Sequence, residues 1–149
     1  MSKFKQMQLQ TLDKHLAQIN MPEAPSEGWI RAIRSTIGMS VQQLAGRMGV
    51  AKQSVARLEK NEADDSITLK SLRKAAEALD CRLVYALVPN EGRLEDIVKK
   101  QAFKKAYEIV HTVDHSMKLE GQGVGNVKQK TKEVANELTQ NLNSKLWDK

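Results

Sequence analysis

Residues 39–59 read Met39-Ser-Val-Gln-Gln-Leu-Ala-Gly-Arg-Met-Gly-Val-Ala-Lys-Gln-Ser-Val-Ala-Arg-Leu-Glu59, and each position suits two helices crossing at a tight turn. Ser40 followed three residues later by Gln43 is a capping box, which starts the first helix and leaves backbone N–H groups free to face a phosphate. Leu44, Met48, Val50, Val55 and Leu58 are spaced to bury inward. Ala45 is small where the second helix comes close, and Gly49 supplies the left-handed conformation of a sharp corner. Lys52, Gln53, Ser54, Ala56, Arg57 and Lys60 are left for the outer face of the second helix. An arginine such as Arg57 donates two hydrogen bonds to guanine O6 and N7, and a glutamine such as Gln53 matches adenine N6 and N7, each pair giving about 1–3 kcal/mol of discrimination. Four residues apart, the two share one face. Any solvated helix turns polar groups outward, so the inference rests on cap, core, corner and outer face together.

Outward from this stretch, residues 29–78 continue as short helical patterns with brief connections, as a compact bundle requires. Upstream, Phe4, Met7, Leu9, Leu12, Leu16 and Ile19 predict an amphipathic helix over 3–20, followed by a linker with Pro22, Pro25 and Gly28. Downstream, Cys81-Arg-Leu-Val-Tyr-Ala-Leu-Val-Pro89 is short, rich in valine, leucine and tyrosine, and bounded by turn residues, which predicts a β-strand. A lone strand needs a partner, and in a helical chain the simplest is the same strand of a second copy. The alternative is a buried connector. Leu94, Ile97, Val98, Ala102, Ala106, Ile109, Val110, Val113 and Met117 mark a second long helix. Gly121, Gly123 and Gly125 interrupt the pattern, and a last helix carries Val127, Val134, Leu138, Leu142, Leu146 and Trp147. These C-terminal helices pack on each other or across a dimer.

The net charge is +6, and residues 28–89 hold ten basic against six acidic groups, which fits a surface facing phosphates as well as plain solvated surface. The single cysteine, Cys81, rules out an intrachain disulfide and is expected to be buried. No apolar run reaches the ~20 residues of a membrane span, and Met1-Ser-Lys-Phe-Lys is not followed by a signal-peptide core, so the cytoplasm is the expected compartment. His111 and His115, four apart with Asp114 between, have a spacing that holds zinc, but no second ligand pair appears, so a solvated face is the preferred reading. Gly121-Gln-Gly-Val-Gly125 lacks the preceding strand of a nucleotide loop and reads as a hinge. Nothing groups a nucleophile with a base, so neither an enzyme nor a cofactor or metal site is expected.

Residues 29–79 resemble the Xre/Cro-repressor type of helix-turn-helix. That resemblance implies an ion pair between Arg34 of the first helix and Glu59 near the end of the recognition helix. It also marks two departures: Ala51 stands where a Ser or Thr cap is common, forfeiting about 1 kcal/mol, and Asp80 stands where a glycine usually ends the last helix. A narrower resemblance is carried by Gly28-Trp-Ile-Arg-Ala-Ile-Arg34, Ile67-Thr-Leu-Lys-Ser-Leu72, Ala78-Leu-Asp-Cys-Arg-Leu-Val-Tyr-Ala-Leu-Val-Pro89 and His115-Ser-Met-Lys-Leu-Glu120. Together these resemble the family called mobile mystery protein A, encoded beside a Fic-domain protein, which implies a toxin-antitoxin pair. Fic inhibitors present a helix bearing Ser or Thr, three residues, Glu, then Gly or Asn. Ser116-Met-Lys-Leu-Glu120-Gly121 fits, and by resemblance Glu120 pairs with an arginine of the Fic site in competition with phosphate.

The expectation is a mainly α-helical chain: helix and linker over 1–27, a DNA-binding helix-turn-helix over 28–80, a dimerisation strand over 81–89, and a helical partner-binding or dimerisation region over 90–149. Ser40, Lys52, Gln53, Ser54, Arg57 and Lys60 are the expected DNA contacts. The expected role is a homodimeric repressor on a double-stranded operator that also inhibits a Fic AMP-transferase. The alternative is a stand-alone regulator without inhibitory activity.

Overall fold

The computed structural model describes residues 2–119 and 127–149. Among these, seven α-helices follow in order: α1 (Ser2–Ala17), α2 (Trp29–Thr36), α3 (Val41–Met48), α4 (Lys52–Ala63), α5 (Leu69–Ala78), α6 (Leu94–Leu119) and α7 (Val127–Gln140). A single 3-10 turn at Ser144–Trp147 follows α7. The chain divides into two compact units, one of 21–86 and one joining 1–20 to 87–149.

The unit 21–86 closes around Ile30, Leu44, Ala45, Val55, Ala75 and Leu79, with Ile33, Met48, Leu58 and Leu72 packed against them. Leu44 and Val55 are fully buried, so α3 and α4 meet through the side chains that the helical spacing picks out. Val50, expected inside, is 41% exposed, because it follows the corner rather than lying on either helix. The capping box is formed: the Gln43 N–H donates to Ser40 Oγ at 3.1 Å, and the Ser40 N–H donates to Gln43 Oε1 at 2.8 Å. Thr68 caps α5 in the same manner, accepting from the Ser71 N–H at 3.1 Å.

All four helices of this unit end alike. The residue after the last turn is left-handed, at Gly38 (φ 78), Gly49 (φ 69), Asp65 (φ 61) and Asp80 (φ 57). The following N–H then reaches five residues back: Met39 to the Arg34 carbonyl, Val50 to Ala45, Ser66 to Asn61 and Cys81 to Ala76, at 2.8–3.0 Å. This closure satisfies helix-end carbonyls that have no partner within the helix. Asp80 therefore takes the conformation that a glycine would have taken.

The stretch 81–89, expected as a strand, is not a strand in the single chain. Among the described residues the backbone groups of 82–89 make no hydrogen bond, since no other segment offers a ladder. The residues are not a buried connector either: Val84, Tyr85, Leu87 and Val88 are all more than half exposed, and Cys81, expected to be buried, is exposed.

In the other unit, α1 stops at Ala17, three residues short of the expected end. Val98, Ala102 and Ala106 of α6 and Ala135 of α7 form a core of small residues with Leu146, with Leu9 of α1 packed against it. Small side chains at four-residue spacing let helices approach closely. Asp13 of α1, though charged, is buried, and its carboxylate accepts from the Leu94 and Glu95 N–H groups at 2.7 and 3.1 Å. A carboxylate there meets both the unpaired donors and the positive end of α6. Phe4, Met7 and Leu12 stay exposed on the outer side of α1. No helix among the described residues is long and apolar enough to cross a membrane.

Candidate nucleic-acid interface

α4 has two faces. Val55 and Glu59, one turn apart, are buried against the rest of the unit, and Glu62 continues that line half-buried. Lys52, Gln53, Ala56, Arg57 and Lys60 are exposed on the other side. The side chains of Lys52, Gln53, Arg57 and Lys60 make no hydrogen bond or ion pair with any described residue, so their donors are free for an external ligand. Ser54, expected among the outward residues, is half-buried; it lies next to Val55 at the edge of the face. Ala51 precedes α4 without any side-chain cap, which leaves the first N–H groups of α4 uncapped by that residue. Ser40 lies at the start of α3, where its Oγ is engaged by Gln43.

The inner face is pinned by two carboxylates. Glu59 receives Arg34 through both arms, Nε to Oε2 at 2.6 Å and Nη2 to Oε1 at 3.0 Å, while Arg34 Nη1 donates to the Met39 carbonyl at 2.8 Å. Both side chains are about nine-tenths buried. The hydrogen bond to Glu59 raises the Arg34 pKa above its ordinary value against the opposing effect of burial, with Coulombic attraction to Glu59 adding to the rise. The guanidinium therefore stays charged through the neutral and mildly alkaline range, and its share of the stability is lost only in strong alkali.

The second carboxylate was not foreseen from the sequence. Glu62 accepts from the N–H groups of Trp29 and Ile30, both at 2.8 Å, and so caps α2 from across the unit. Gly28 makes room for it: its φ is 87, and a Cβ there would lie 2.8 Å from Glu62 Oε1. The signal that was available is a helix beginning Gly28-Trp29 with no capping side chain of its own. Glu59 and Glu62 thus clamp α4 onto α2 by its inner side, and α4 presents its outer side as one rigid surface.

The expected inhibitory residues lie outside the described ones, Glu120 and Gly121 entirely and Ser116 in its side chain. Of the pair considered for zinc, His111 stacks on Tyr107 with ring centroids 5.5 Å apart. Among the described residues no three His, Cys, Asp or Glu side chains group as a metal site.

This unit is a helix-turn-helix domain, the DNA-binding module of transcriptional regulators. Residues 30–85 match the family model described as Helix-turn-helix, which covers α2 to α5 and the start of the segment beyond. No curated protein and no solved structure matches the chain.

Proposed function

We propose that the chain is a sequence-specific repressor that lays α4 in the major groove of double-stranded DNA. The observation that carries this reading is the contrast on α4, whose inner face is held by Glu59 and Glu62 while Lys52, Gln53, Arg57 and Lys60 stand free. Arg57 and Gln53 suit base edges, Lys52 and Lys60 suit phosphates, and the half-buried Ser54 serves at the rim. Ser40, at the start of α3, suits a phosphate contact.

The active form is a homodimer on a pseudo-palindromic operator, with residues 81–89 of two copies pairing as strands. The unpaired backbone of 82–89 and the exposure of its apolar side chains support that assignment. The operator lies before the protein's own gene pair.

A gel-shift series against random-sequence duplexes tests the reading. Arg57→Ala weakens operator binding by about 1–3 kcal/mol and relaxes one base position, whereas Lys60→Ala weakens all DNA alike and lowers the salt slope by about one. Indistinguishable base preferences in the two variants refute the assignment.

A second role rests on the resemblance to the Fic-paired family. Ser116, Glu120 and Gly121 fit the inhibitory pattern near the C-terminal end of α6, and a Fic AMP-transferase encoded beside this chain is the partner. Adding the purified chain to that enzyme abolishes AMP transfer, and Glu120→Gly restores it. Equal inhibition by both proteins, or none, leaves a stand-alone regulator.

A further inference from the structure

The unit 21–86 contains an apolar cavity of about 520 Å³. Trp29, Ile30 and Ile33 of α2 form one wall, and Leu72 and Ala76 of α5 form another. We propose that this cavity binds an apolar monocarboxylate of the medium-chain fatty acid kind, and that its occupancy regulates DNA binding.

The volume lies within the range of about 300–1,000 Å³ typical of small-molecule sites. Arg82 is the one charged residue that lines it, and Arg82 makes no hydrogen bond or ion pair with any described residue. An exposed lining arginine whose guanidinium has no protein partner suits a planar carboxylate, which it recognises by two parallel N–H bonds. A cationic ligand is repelled by it, and a neutral one leaves the charge unused. An amphiphile with its chain in the cleft and its carboxylate at Arg82 satisfies both features at once.

The regulatory part rests on the DNA-binding reading. The lining residues Trp29 and Ile30 are the two whose N–H groups Glu62 of α4 holds, and Ile33 adjoins Arg34, which grips Glu59 of the same helix. A ligand pressing on this face of α2 acts on both points that fix the recognition helix.

Trp29 lines the cavity and Trp147 belongs to the other unit, so a Trp147→Phe background reports the site by intrinsic fluorescence. Titration of this protein with dodecanoate gives a saturable change in Trp29 emission. Arg82→Gln, a surface change, weakens dodecanoate about tenfold and leaves dodecanol binding unchanged. Ala76→Phe, which fills the cleft, removes both. No emission change up to about 1 mM, or equal dodecanoate affinity in Arg82→Gln, overturns the proposal. So does a sedimentation result in which Ala76→Phe converts a dimer to monomers, because the occupant would then be side chains of a second copy. In gel shifts dodecanoate alters operator affinity at least threefold in the parent protein and not in Ala76→Phe. An unaltered affinity overturns the regulatory role, whereas a failure of DNA binding itself appears in the ligand-free lanes and leaves the fluorescence result standing.

Discussion

Glu59 and Glu62 lie on one side of α4 and both tie it to α2, by different chemistry. Glu59 neutralises a buried guanidinium, and the sequence resemblance points to that pair directly. Glu62 instead replaces a missing N-cap, with two backbone donors at 2.8 Å and the positive end of a helix facing its carboxylate. Removing it leaves those N–H groups without a protein acceptor. Glu62→Ala is expected to lower the stability of the helix-turn-helix unit by about 1–2 kcal/mol in urea unfolding, while the base preference of the remaining folded protein stays unchanged. An altered base preference would mean that Glu62 faces the nucleic acid instead. Val50 and Ser54 show the limit of periodicity at this scale, since residues beside a corner or at the edge of a helical face take their exposure from what packs over them.

At the scale of elements, the four short helices of the unit 21–86 are bounded by chemistry that acts within one or two turns. Ser40 and Thr68 start α3 and α5, and a left-handed residue stops every helix. Two of those stops are glycine and two are aspartate. A side chain in the left-handed region carries a steric cost that glycine avoids. Asp80→Gly is therefore expected to stabilise the unit by about 0.5–1 kcal/mol, read as a rise of a few degrees in Tm, despite the added freedom of the unfolded chain. A fall in Tm would show that the Asp80 side chain makes a contribution larger than that cost. Outside this unit the same kind of reasoning placed α6 and α7 by their apolar spacing, but not the acceptor at the head of α6. Asp13 is about eighty residues away from the donors it meets.

At the scale of the whole molecule, the segment after α5 is where the structure departs furthest from the sequence expectation. Composition and turn boundaries predicted a strand, but among the described residues none pairs with it, so the backbone of 82–89 makes no hydrogen bond to them and Leu87 is 84% exposed. If two copies pair there, Leu87→Asp yields monomers in sedimentation velocity and a much weaker operator complex, because each half-site alone makes only half the contacts. A dimer that survives the substitution places the interface elsewhere, with the exposed stripe of Phe4, Met7 and Leu12 on α1 as the next surface to test.

The sequence alone placed the capped start of α3 at Ser40, the corner at Gly49, the buried line of Leu44, Val55 and Leu58, and the outward position of Lys52, Gln53, Arg57 and Lys60. Those features follow from backbone sterics and from hydrogen bonds between residues three to five apart, so the chain encodes them locally. Tertiary structure decided the Glu62 and Asp13 caps, the exposure of Cys81 and Val50, and the cavity between α2 and α5. Each of these depends on how packed helices come to rest against one another, a quantity set by the summed fit of many side chains and carried by no short stretch of sequence.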